Sequence, residues 1–215
     1  MTSCCDARGY DEFFTSRIAK RAAARYRKRG VDKTARRMVA FLEEHGIEGA
    51  TVLEIGGGVG DVQLELLKRG ASRTLNLELS PGYEKDAVQL VREAGVEGRA
   101  ERRLHDIAED PAGVEPADVV VLNRVVCCYP DYEHLLGAAA DHARRLLVFS
   151  YPPRNALSRF LLGAQNLLLR LQRKEFRAFA HPPARMLGVV EERGFLLAYS
   201  HRPVVWQIAG FERRT

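Results

Sequence analysis

From Thr51 onward the chain alternates between short apolar runs that end near a glycine or an acid and stretches whose apolar positions recur at helical spacing. Such alternation predicts an α/β sheet with crossover helices. Strands are expected at Thr51 to Ile55, Arg73 to Glu78, Ala100 to Leu104, Asp118 to Leu122 and Arg145 to Tyr151. Helices are expected over Val59 to Arg69, Tyr83 to Ala94 and Asp131 to Ala143. Two further helices precede the first strand. One runs from Asp11 to about Arg29 and is stopped by Gly30; the other runs from Asp32 to His45, with Met38, Val39 and Leu42 on its apolar face and Gly46 at its end.

Beyond the fifth strand the pattern changes. Pro152-Pro153 breaks the chain, and helical spacing resumes from Ala156 to about Gln172 and again from Pro183 to Arg193. Two strands close it, Phe195 to His201 and Val204 to Phe211, separated only by Arg202-Pro203 and therefore antiparallel. After the double proline, Leu157, Phe160, Leu161, Ala164, Leu168 and Leu171 fall on one helical face. That face predicts an insertion, about 154–182, acting as an apolar lid. The expected organisation is a helical cap over 1–48 and a sheet domain over 49–215 that carries the insertion.

Composition narrows the class. A chain of 215 residues with 46% apolar content can bury a sizeable core. Its cysteines come as adjacent pairs, Cys4-Cys5 and Cys127-Cys128. Neighbours in sequence are poorly placed to bridge each other, so the disulfide framework of a small secreted protein is absent. Asp6 and Arg8 interrupt the start of the chain, and no apolar stretch is long enough to read as a membrane span, so a cytoplasmic, reduced protein is expected. The net charge of +5 is unevenly spread, with ten Lys or Arg from Arg17 to Arg37 against the single acid Asp32. Four readings of that block stand open: contact with nucleic-acid phosphates, peripheral contact with an anionic membrane, binding of a carboxylated substrate, or a solvated helix face.

The chemistry concentrates where the first strand meets a glycine loop, Thr51-Val52-Leu53-Glu54-Ile55-Gly56-Gly57-Gly58-Val59-Gly60. Glycines at a strand-to-helix turn permit backbone angles closed to other residues and let a ligand approach the main chain. A dinucleotide fingerprint needs a third Gly or Ala after Gly56 and Gly58, and position 61 is Asp. A carboxylate at that helix N-terminus opposes a pyrophosphate, which requires free amides and positive potential. Starting the frame at Gly58 and Gly60 puts Gln63 at the third position, which also fails.

The run Glu54, Gly56, Gly58, Gly60 resembles the acid-x-Gly-x-Gly-x-Gly motif of class I S-adenosylmethionine methyltransferases. A weaker resemblance is to magnesium-protoporphyrin O-methyltransferases, in a Tyr-Pro after strand four, Tyr151-Pro152-Pro153 after strand five, a helical insertion and a final Phe211-Glu212-Arg213. Cys127-Cys128 departs from that second pattern. The first resemblance implies a Rossmann-like, seven-stranded, mostly parallel sheet of order 3-2-1-4-5-7-6, with the last strand antiparallel and helices on both faces. It further implies S-adenosyl-L-methionine as cofactor, held by Glu54, Gly56, Gly57, Gly58 and Gly60 at the loop, with the acids answering the cofactor's positive charge. Glu78, at the end of strand two, becomes the ribose ligand and Leu79 packs on adenine. Asp106 and Ile107 follow strand three, Asp106 as the partner of the adenine amino group, and Asn123 lines the pocket after strand four.

A sulfonium is already a good leaving group, so the main task is to hold a nucleophile in line and exclude water, with no dedicated triad and no metal. If the acceptor must lose a proton, His105, Cys128 and Tyr129 are the candidate bases. The two cysteine pairs together form a candidate thiol site for a soft metal or arsenic. A small, apolar methyl acceptor is the leading expectation. RNA methylation through the basic helix is the first rival, although no Asn/Asp-Pro-Pro-aromatic motif follows strand four. A protein that binds the cofactor without catalysis is the second.

Overall fold

The computed structural model describes residues 9–214. Cys4-Cys5, half of the candidate thiol site, lie outside the described residues. Seven strands form one sheet: β1 (Thr51–Ile55), β2 (Arg73–Glu78), β3 (Ala100–Leu104), β4 (Ala117–Leu122), β5 (Ala143–Tyr151), β6 (Phe195–His201) and β7 (Gln207–Arg213). Their order is β3-β2-β1-β4-β5-β7-β6, the Rossmann-like arrangement expected. The first five pair in parallel, and β7 runs antiparallel to both β5 and β6. The reversal of strand order between β1 and β4 leaves a crevice at the carboxyl ends of those two strands.

β4 shows why the sheet is buried on both faces. Its run Ala-Asp-Val-Val-Val-Leu has almost no polar alternation, as a strand covered on both sides requires. Val119 and Val121 point into one core with α2 (Ser16–Arg29), α3 (Lys33–Glu44), α4 (Asp61–Lys68) and α5 (Glu84–Glu93). Val120 and Leu122 point into the other, with α6 (Tyr132–His142) and α8 (Pro183–Glu191). Edge strand β3 is the contrast: Ala-Glu-Arg-Arg-Leu keeps charges along a sheet border, which discourages pairing with another chain.

The structure corrects several boundaries. The helix expected from Asp11 to Arg29 is two, α1 (Tyr10–Phe13) and α2, because Thr15 is extended and the Phe14 carbonyl accepts from Ser80 Oγ at 2.9 Å rather than continuing a helix. α6 stops at His142, so β5 begins two residues before Arg145. β7 begins at Gln207, not Val204; the turn is longer than Arg202-Pro203, and Val204 and Val205 stand exposed.

The largest correction concerns α7 (Ala156–Leu171). The stripe expected to face inward as a lid faces solvent: Leu157, Phe160, Leu161, Leu168 and Leu171, with Leu167, are between 55 and 73% exposed. What docks the helix is its other side. Leu162 and Leu169 pack against Tyr10, Phe13, Phe14 and Phe176, and Asn166 clamps Ala178 with two hydrogen bonds, 2.8 Å to its carbonyl and 2.9 Å from its amide. An amide side chain satisfied on both groups fixes rotation more firmly than apolar packing, which has no direction. Each large side chain left more than half exposed forgoes on the order of 1 kcal/mol of burial.

Candidate functional site

A cavity of about 260 Å³ opens at the β1/β4 crevice, at the small end of ligand-sized clefts. Its floor is the glycine loop. Gly56, Gly58 and Gly60 have φ of +64°, +56° and +77°, a region that favours glycine. At Gly56 the conformational demand joins a steric one, since a Cβ there would meet Val125 Cγ2 at 2.6 Å. Gly56 N donates to Leu77 O at 2.7 Å and Gly60 N to Gly57 O at 2.8 Å, closing the turn. Gly56, Gly57 and Gly58 line the cavity, whereas Gly60 leads the chain into α4 behind it.

Glu78 is held by three amides. Gly58 N donates to its Oε2 at 2.8 Å, and Leu79 N and Ser80 N donate to its Oε1 at 2.8 and 3.1 Å. Oε1 is filled by its two amides, and Oε2, with one, keeps acceptor capacity for a ligand hydroxyl. Glu54 plays a different part. It is buried, accepts from Gln63 N at 3.2 Å and Asn76 Nδ2 at 3.5 Å, and thereby ties β1 to α4 and β2. Burial pushes its carboxyl well above the usual carboxylate range, and the neighbouring Asp61 pushes the same way. The Asp61 carboxyl is likewise raised by burial, against the pull of the Arg25 guanidinium.

On the far wall, Asp106 accepts from Tyr129 Oη at 3.1 and 3.0 Å and from Ala108 N at 3.1 Å. Leu79, Ile107 and Asn123 line the same cavity, and Asn123 Oδ1 accepts from Ser150 Oγ at 3.0 Å. The three candidate bases also reach it, each already engaged. His105 Nε2 lies 2.6 Å from the Asp110 carbonyl, an acceptor only, so Nε2 carries the proton and Nδ1 is the basic atom. Cys128 Sγ lies 3.6 Å from Cys127 Sγ; that contact and burial raise the Cys128 thiol well above its ordinary range while Cys127 is lowered. Tyr129 spends its hydroxyl proton on Asp106.

Several lining residues carry no local signal in the sequence. Tyr10 and Phe14 of the amino-terminal segment, Arg25 of α2, Asp32 at the start of α3, and Tyr83 all face the cavity. Arg124, left-handed at φ +63°, pairs with Asp32 at 2.6 Å and lies 4.9 Å over Trp206, latching the amino-terminal helices to the loop after β4. Arg102 Nη1 donates to Gly58 O at 2.8 Å while its Nε pairs with Glu84. Only tertiary folding brings these side chains together; Arg25 was visible as one cation in a run, with nothing to mark it. Within that run Arg27 is spent on a forked pair with Glu93 at 2.7 and 3.0 Å. No residue of 154–182 lines the cavity, so its cover comes from the amino-terminal segment rather than from α7.

Comparison with known proteins identifies the class. A family model described as a methyltransferase domain matches residues 23–199, most of the chain. The chain therefore belongs to the methyltransferase-domain family. Among solved structures it is similar to the magnesium protoporphyrin IX methyltransferase from Synechocystis PCC 6803 with bound SAH, at a TM-score of 0.74 and 21% identity over 95% of this chain and 98% of that one. It is also similar to an O-methyltransferase family protein from Burkholderia thailandensis, at a TM-score of 0.72 and 20% identity over 97% of this chain and 64% of that one. A third likeness is to an O-methyltransferase family 2 protein from Planctomyces limnophilus in complex with apigenin, at a TM-score of 0.60 and 18% identity, covering 86% and 63%. At these identities the likeness is one of fold. No curated protein matches the sequence.

Proposed function

We propose that the protein is an S-adenosylmethionine-dependent methyltransferase acting on a small molecule with an apolar body. The observation that carries this reading is Glu78: a cavity-lining carboxylate at the end of β2, fixed by the amides of Gly58, Leu79 and Ser80, with acceptor capacity left on Oε2. A carboxylate locked in this position beside a glycine loop suits a ribose hydroxyl donor. Leu79 and Ile107 supply apolar flanks for adenine, and Asp106 the acceptor for its amino group. The open backbone at Gly56, Gly57 and Gly58 would take the methionine part, with Glu54 and Asp61, whose ionised forms a nearby ammonium would favour against burial, on one side and Arg25 available to its carboxylate. Gly60 belongs to the same set by shaping the loop, and Asn123 by closing the wall after β4.

When bound, the cofactor would supply a methyl group on a positively charged sulfonium, which is already a good leaving group. The protein's share is positioning and the exclusion of water. Tyr10, Phe14 and Tyr129 give the cavity aromatic walls, which suit an apolar acceptor. Where the acceptor must lose a proton, His105 Nδ1 is the group best prepared to take it; the raised Cys128 thiol and the proton-donating Tyr129 are less suited. Calorimetry with S-adenosylmethionine and S-adenosylhomocysteine tests the premise: both bind, and binding of neither sinks it. Labelled methyl transfer into the small-molecule fraction of a cell extract, rather than into RNA, tests the acceptor class. Binding without any transfer would make the protein a non-catalytic binder.

A further inference from the structure

The exposed stripe of α7 takes no part in the cavity, and its chemistry is unlike the rest of the surface. Leu157, Phe160 with Leu161, Ala164, Leu168 and Leu171 follow one another at steps of three or four residues, so they form one continuous exposed band along the helix. The opposite side is committed to the protein through Leu162, Asn166 and Leu169, which fixes the band outward. The turn carrying exposed Val204 and Val205 adjoins the start of the helix, because Arg154 and Asn155 share a cleft with Arg202 and Gln207. Charge identifies the occupant. Between 154 and 174 there are five cations, Arg154, Arg159, Arg170, Arg173 and Lys174, and no acid; the next acid is Glu175.

We propose that α7 is an interfacial helix that docks the protein on an anionic lipid surface. An exposed apolar band on a segment whose charges between 154 and 174 are all cationic complements acyl chains under anionic headgroups; the exposed Arg159 and Arg170 lie on the side of the helix away from the band and reach toward the headgroup layer by their long stems. The helix, about 24 Å long at 1.5 Å per residue, lies in the plane of the surface; no helix among the described residues is long and apolar enough to cross a membrane. Docking through this face leaves the glycine loop and cavity with the protein, and is independent of which methyl donor or acceptor they hold.

The test is co-sedimentation of the full chain with vesicles of phosphatidylcholine alone and of phosphatidylcholine with phosphatidylserine, at low and high salt. Phosphatidylserine should raise the bound fraction at low salt by roughly tenfold, with salt reversing the gain. Phe160→Glu with Leu168→Glu should abolish binding, and Arg159→Gln with Arg170→Gln should remove the phosphatidylserine preference while some binding stays. Because these side chains are exposed, the thermal midpoint and cofactor calorimetry of each variant should match the parent, which separates this outcome from failure of the methyltransferase reading. Absence of wild-type sedimentation, or sedimentation indifferent to Phe160→Glu with Leu168→Glu, overturns the proposal. So does light scattering that shows a dimer broken by the same substitutions, since a second copy would then be the cover.

Discussion

The glycine loop and α7 lie on the same protein with opposite arrangements of polar and apolar groups. Around the loop, carboxylates are taken inside and held by amides: Glu54 by Gln63 N, Glu78 by Gly58, Leu79 and Ser80. On α7, a row of leucines is held outside while an asparagine makes the anchoring contact. The difference teaches that each region departs from simple burial for the sake of a surface it presents. A preformed polar cradle costs desolvation and keeps its geometry without a ligand. An exposed apolar band costs burial and stays available to whatever covers it.

Glu78→Ala is the sharpest way to break the loop side of this comparison. It removes the acceptor of three amides and the ribose ligand together, and should weaken S-adenosylmethionine binding by about a hundredfold. Calorimetry checks it, and an unchanged affinity would remove Glu78 from the site. Next in size, Gly56→Ala forces a side chain into φ +64° and against Val125. Urea unfolding should show a loss of about 2–3 kcal/mol, with a weaker effect counting against the tightness of that turn.

The buried acid offers a pH test. Burial raises the folded-state pKa of Glu54 above its unfolded value, so its contribution to stability is fully present below the unfolded pKa and is lost as pH rises through the folded one. Glu54→Gln stays neutral at every pH. Relative to wild type it should therefore gain stability as pH rises from the carboxylate range toward neutrality and beyond, read from urea midpoints across pH. A flat difference between the two proteins would mean that Glu54 ionises normally in the fold.

The smallest effect sharpens the α7 side. Gly163 sits in the helix interior with open space where a Cβ would go. Gly163→Ala should stabilise the protein by about 0.5–1 kcal/mol in thermal unfolding. The same glycine-to-alanine change thus reverses sign between the two regions, and destabilisation at 163 would show that this face is packed after all.

The chain is legible where the information is local. Short runs between turn residues mark β1, β2, β3 and β6 at the bounds observed: the inner strands β1 and β2 are buried over most of their length, while the edge strands β3 and β6 are bounded by the turns on either side. Loop glycines are legible because φ is a property of single residues. The split at Phe14-Thr15 was not legible, since its cause is a hydrogen bond to Ser80, 66 positions away. Arg25 is likewise indistinct among ten cations, and nothing local marks Arg102, an edge-strand residue whose contact with Gly58 spans 44 positions.

By itself the sequence determined the succession of elements, the acid-flanked glycine turn and the presence of an apolar stripe after Pro152-Pro153, all set by backbone conformation and short-range periodicity. Only the tertiary structure decided which way that stripe faces and which side chains close the cavity. Periodicity places residues on one side of a helix and is silent on what lies opposite. Asn166 and its clamp on Ala178, with Leu162 and Leu169 beside it, settled the rotation of α7, and the helix left its leucines to solvent.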